Sequence, residues 1–146
     1  MPLVLASASP RRAAILKQLG IPFRVFASGI DESTEPAEPP DTQARRLAAA
    51  KAEAVAKNHN DRLVLGCDTL VWHNKTALGK PGGKQEALRM LQSLNGAAHE
   101  VWSGLALIRK GKLCFSTVDV TKVYFRKASM RELEWYAETG EPLDKA

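Results

Sequence analysis

Short apolar runs alternate along the chain with stretches in which apolar residues recur every three to four positions, and this alternation predicts an α/β fold. The run that opens at Leu3 reads as a strand and gives way to two serines, a proline and two arginines at the start of a helix over residues 10–19. Ser9 suits the N-cap, Pro10 the first helical position, where its missing N–H costs nothing, and Gly20 the stop. Residues 23–27 read as a second strand, followed by a loop over residues 28–40 and a long helix from about residue 41 to 58. Residues 63–67 read as a short buried strand, and residues 69–78 as a hairpin turning near Asn74-Lys75 and leading into Gly79-Lys80-Pro81-Gly82-Gly83. Residues 86–94 are helical and stop at Asn95-Gly96, and two long β runs, 99–109 and 113–126, flank Lys110-Gly111-Lys112 as a second hairpin. Ser129 with Glu132 makes a capping box for a last helix that ends at Gly140.

Residues that break this pattern carry the candidate chemistry. Ser7, Ser9, Arg11 and Arg12 surround the start of the first helix, where free N–H groups point back along the loop and two guanidinium forks suit phosphate oxygens. Two arginines at the positive end of a helix are unfavourable by themselves, and a bound anion relieves them. In the long helix Lys51 shares one face with Ala44, Leu47, Ala48 and Val55, while Arg46, Glu53 and Lys57 share the other. A lysine in an apolar stripe either snorkels out or meets an anion. Asp68 is the only charged side chain between Leu63 and Trp72 and follows a buried strand directly, where a carboxylate needs a cation, backbone donors or a metal. Asp31 and Glu32 lie in a loop rich in acids, whose default is solvation. Lys80 sits in a turn fixed by Gly79 and Pro81 and is equally an ordinary loop lysine.

Composition narrows the partners without choosing one. The 146 residues suit one domain, 45% hydrophobic and 25% charged residues are ordinary for a soluble globular protein, and the net charge of +5 favours polyanions such as nucleotides, nucleic acid or an anionic surface. Cys67 and Cys114 lie in apolar runs without CxxC spacing and read as reduced core residues, and His59, His73 and His99 lack zinc-site spacing and read as surface or satisfied strand histidines. The N-terminal apolar run is too short for a signal peptide or membrane span, so a cytoplasmic protein with no membrane partner is expected. Residues 79–84 resemble a Walker A loop but are one residue short between the glycines, with Gln85 where Ser or Thr is needed. No aromatic and basic interleaving or helix-turn-helix marks a nucleic-acid binder, so no nucleic-acid partner is expected.

Ser7-Ala8-Ser9-Pro10-Arg11-Arg12, Asp31-Glu32, Leu47-Ala48 with Lys51-Ala52, Asp68-Thr69, Gly79-Lys80-Pro81, His99-Glu100-Val101 with Ser103-Gly104, and the run from Gly140 to Ala146 together resemble the Maf family of nucleoside triphosphate pyrophosphatases. The resemblance implies an inosine triphosphatase-like α/β fold, a twisted mixed sheet with flanking helices and two lobes around a cleft. It implies hydrolysis of a nucleoside triphosphate to the monophosphate and pyrophosphate with a divalent cation, Mg2+ or Mn2+, and a homodimer. Asp68 matches the proton acceptor, Glu32 the second acidic residue, and Ser7, Arg12, Lys51 and Lys80 the polar set around the phosphates; Glu32 and Asp68 are the expected metal ligands. Arg11 and Thr69 match positions linked to substrate choice and resemble the dTTP/UTP branch, with the 7-methyl-GTP branch as the alternative. Family members continue past the Gly140 to Ala146 motif, and a third specificity residue, a glutamine, is expected in that further segment; residues 1–146 are therefore expected to form one Maf-like domain lacking it. A nucleotide-binding module without turnover is the competing expectation.

Overall fold

The computed structural model describes residues 1–33, 35 and 37–145, so that Thr34 and Pro36 of the acidic loop and Ala146, the last residue of the C-terminal motif, lie outside the described residues. A mixed sheet runs in the order β2-β1-β3-β5-β6, with β4 beside β3. Strand β1 (Leu3–Ala6) lies parallel to β2 (Phe23–Val25) and to β3 (Leu63–His73), and β3 pairs antiparallel with β4 (Thr76–Leu78). Strands β5 (Ala98–Arg109) and β6 (Lys112–Tyr124) follow, with helices α1 (Pro10–Gln18), α2 (Pro40–Ala56), α3 (Lys84–Leu94) and α4 (Met130–Glu138). Internal contacts divide the chain into two compact units, residues 1–68 with 103–119 and residues 69–102 with 120–146.

In the first unit, strand alternation sends β1 side chains to opposite faces. Val4 and Ala6 join Val64, Ile108 and the α2 residues Ala52, Val55 and Ala56 in one core cluster; Leu5 joins Leu16 of α1 and Cys67 in another. Each buried Val or Leu contributes about 1.5–3 kcal/mol against exposure, which makes these two clusters the main anchor of both helices. Helix α1 ends in a Schellman motif: Gly20, at φ +68°, donates to the Lys17 carbonyl and Ile21 to the Leu16 carbonyl.

The expected short strand over 63–67 is part of a continuous strand of 11 residues. Asp68 lies within this strand instead of beyond its end, because its carboxylate is paired and so does not interrupt the ladder. The expected hairpin turn is present, with Asn74 and Lys75 both at positive φ, as a tight turn between twisted strands requires.

In the second unit, the Asn95 side chain donates to the Ala128 carbonyl at 3.0 Å and accepts from the Ala128 amide at 2.8 Å, tying the end of α3 to the segment before α4. The capping box of α4 is complete, with the Glu132 amide donating to Ser129 Oγ and the Ser129 amide to the Glu132 carboxylate. Two expectations fail. Cys114, in the first unit, is exposed, because β6 is the outer strand of the sheet and leaves Leu113 and Phe115 half open beside it. His99 is neither at the surface nor satisfied: it is buried edge-on against Phe125, and its Nδ1 has no hydrogen-bond partner among the described residues.

Candidate active site

The first unit gathers Ser7, Arg12, Glu32, Lys51 and Asp68. Two glycines decide how. A Cβ on Gly66 of β3 would lie 2.1 Å from the Ala48 carbonyl oxygen, and one on Gly104 of β5 would lie 2.2 Å from that of Ala44. The backbone of α2 therefore rests directly on the sheet, an approach open only to glycine. Alternation puts Val64, Gly66 and Asp68 on the α2 side of β3, and one turn beyond Ala48 the helix presents Lys51 to Asp68.

Lys51 and Asp68 are each 5% exposed. The Lys51 ammonium donates to Asp68 Oδ1 at 2.8 Å and pairs with Glu32 Oε1 at 3.0 Å. Of its two open alternatives, the lysine takes the anion. Burying either charge alone would cost several kcal/mol, and the pairing offsets that cost. Glu32, more than half exposed, is the solvent-side member of this chain of charges.

Around α1 the structure redistributes the expected roles. Ser9 holds the N-cap position with extended backbone, but its hydroxyl makes no capping bond. The acceptor is Ser7 Oγ instead, which takes the Ser9 amide at 3.2 Å and Arg12 Nη1 at 2.9 Å. A buried hydroxyl thus aims the Arg12 guanidinium, while Arg11 is exposed and no acidic residue stands in the first turn.

Cys67, on the face of β3 that packs against α1, lies within electrostatic reach of these groups. Burial pushes its thiol pKa up, the positive charges of Arg12 and Lys51 oppose that rise, and the negative charge of Asp68 adds to it. Arg12, Lys51 and Asp68 all act on the same buried sulfur.

Thr69 and Lys80 belong to the second unit: Thr69 is exposed on β3, and Lys80 is exposed in the loop after β4. Two residues of the first unit escaped the sequence reading. Gln43, 2% exposed, lies on the buried face of α2, and its spacing of four to Leu47 and eight to Lys51 was the available signal. Arg46, placed on the polar face, donates from Nε and Nη2 to both Glu38 oxygens at 2.9 and 2.8 Å, a pairing no local pattern announces.

The donor set suits a hard divalent cation. Two carboxylates already share one positive group, and Mg2+ is commonly held by one or two carboxylates, with waters and substrate phosphates filling the other positions. No cluster of three or more His, Cys, Asp or Glu occurs among the described residues, so a metal here would need oxygen donors from elsewhere. No helix among the described residues is long and apolar enough to cross a membrane.

Residues 2–146 match the family model described as Maf-like protein. The chain is 46% identical to a dTTP/UTP pyrophosphatase of Halalkalibacterium halodurans over 99% of its own length and 76% of that protein. It is 44% identical to the dTTP/UTP pyrophosphatase of Symbiobacterium thermophilum over 99% of its length and 74% of that protein. In fold it is similar to a HAM1 protein from Coxiella burnetii, with a TM-score of 0.51 and 14% identity over 85% of this chain and 72% of that one. It is similar also to a nucleoside-triphosphatase, dITP/XTP pyrophosphatase from Mycobacterium abscessus, with a TM-score of 0.50 and 16% identity over 84% of this chain and 72% of that one.

Proposed function

The chain belongs to the Maf family, and on that premise we propose that it hydrolyses a nucleoside triphosphate of the dTTP or UTP kind to the monophosphate and pyrophosphate. The observation that carries this reading is the buried Lys51 ammonium shared by Asp68 at 2.8 Å and Glu32 at 3.0 Å.

A triphosphate brings several negative charges, and water approaches its α-phosphorus only once they are neutralised. Arg12, aimed by Ser7, and the positive end of the α1 dipole supply positive potential at one end. Lys51 supplies a second cation, already desolvated, so no water must be stripped from it when phosphate arrives. Asp68 accepts a proton from the attacking water as the new P–O bond forms and the bond to the pyrophosphate breaks. The departing charge is met by the same arginine and lysine. Glu32 and Asp68 would hold a Mg2+ or Mn2+ ion, which when bound neutralises phosphate charge as a Lewis acid. Arg11 and Thr69 as base-choice residues, and Lys80 as a phosphate ligand, rest on the family resemblance.

We place the protein in the cytoplasm and expect a homodimer, which light scattering tests. The activity test is pyrophosphate release from a panel of triphosphates with Mg2+, beside calorimetric titration of the same nucleotides. Release from dTTP and UTP above the purine nucleotides supports the proposal, and binding without release refutes it in favour of a nucleotide-binding module.

A further inference from the structure

We infer that Arg46 is a positioning residue: with Glu38 it forms a clamp that holds the acidic loop so that Glu32 stays on Lys51 beside Asp68. The inference rests on the hydrolytic reading of that site.

Glu32 sits in the 14 residues between β2 and α2, which contain no strand or helix among the described residues. Loops of that length are ordered only when something ties them. Glu32 itself is a weak tie, since its side chain is 57% exposed. Arg46 is the stronger one. It grips Glu38 with two parallel N–H···O bonds, a bidentate geometry that fixes both side chains, and although the guanidinium is 40% exposed the Glu38 side chain is only 10% exposed. The same Nη2 reaches the Ser33 carbonyl at 3.4 Å. The Ser33 amide in turn donates to Asp31 Oδ1 at 3.0 Å, closing a tight turn with Glu32 at its centre.

One helix therefore holds the loop in two places. Lys51 takes the Glu32 carboxylate, and Arg46, five residues earlier on α2, takes the segment after it. The mutual effects on ionisation agree: the hydrogen bonds and charge of Arg46 hold the Glu38 carboxyl below its usual range, and Glu38 raises Arg46 in return. Asp68 also raises Arg46, so the guanidinium lies within the field of the site although it is bonded elsewhere.

The test is a double-mutant cycle on pyrophosphate release with Arg46→Ala and Glu32→Gln. Arg46→Ala is expected to lower kcat about tenfold to a hundredfold, a loss of the size that a small misplacement of a reacting group causes, with KM for nucleotide moving less than about threefold. In the Glu32→Gln background the same change is expected to cost less than about twofold, because the group it positions is gone. The exchanged pair Arg46→Glu with Glu38→Arg should recover most of the activity, and Arg46→Lys, which cannot chelate both oxygens, only part. Hydrogen exchange supplies a readout independent of turnover: amides of residues 28–39 should exchange faster in Arg46→Ala, with α2 unchanged. Additive losses, an unchanged kcat, or unchanged exchange in the loop would each overturn the inference. If the wild-type chain releases no pyrophosphate from any nucleotide, the hydrolytic reading fails by itself, and the exchange measurement still decides whether the clamp exists.

Discussion

Lys51 and His99 are both polar side chains more than nine-tenths buried, one in each unit, and they meet burial in opposite ways. Lys51 keeps company with two carboxylates at 2.8 and 3.0 Å. His99 has no partner on Nδ1 among the described residues, packs against the Phe125 ring, and has its pKa pushed below the ordinary value by burial first and by His73 second. The contrast separates two uses of a buried polar group. A charge taken out of water persists only where other charges are assembled to receive it, and assembled charges are what a polyanionic substrate and its metal require. An imidazole avoids the problem by staying neutral, and it fills space as a ring with one unsatisfied atom.

The strongest way to break the paired side is Asp68→Asn. Turnover is expected to fall by about three orders of magnitude, or about 4 kcal/mol of barrier, while the protein still folds because Glu32 remains on the ammonium. Pyrophosphate release beside circular dichroism checks both halves. Next comes the scaffold beneath the pair. Gly104→Ala forces a methyl group into the Ala44 carbonyl, so α2 must lift from the sheet, and a loss of about 3 kcal/mol in denaturant unfolding is expected together with reduced activity.

His99 sharpens the other side through pH. Because its pKa is lower in the folded protein than in the unfolded chain, only the unfolded state takes up a proton as the pH falls through about 6.5. The stability that His99 permits is thus fully present above that value and declines from there toward its lower folded pKa. Melting temperatures across pH 5 to 8 should fall on the acid side for the wild type, and less steeply for His99→Leu. The smallest effect belongs to Ser129→Ala, which removes the α4 cap from the same unit for about 1 kcal/mol with no change in that pH slope.

Local chemistry made much of the fold legible. The cap at Ser129, the stops at Gly20 and Asn95-Gly96, and the turn at Asn74-Lys75 each depend on neighbours within a few residues, so type and spacing were enough. Lys51 and Asp68 were legible as violations, a charge in an apolar stripe and a charge in a strand, since such placements demand an explanation wherever they occur.

The identity of their partners was not legible. Sequence alone determined the elements, their faces and the need of two buried charges for company; it did not determine that they would satisfy each other. That was decided where α2 settles on Gly66 and Gly104, because an ion pair depends on distance in space, and only packing converts positions 51 and 68 into 2.8 Å. The Arg46 clamp and the burial of His99 against Phe125 have the same origin. Each depends on which surfaces the tertiary fold brings together, and the one-dimensional pattern of apolar and polar residues carries no record of that.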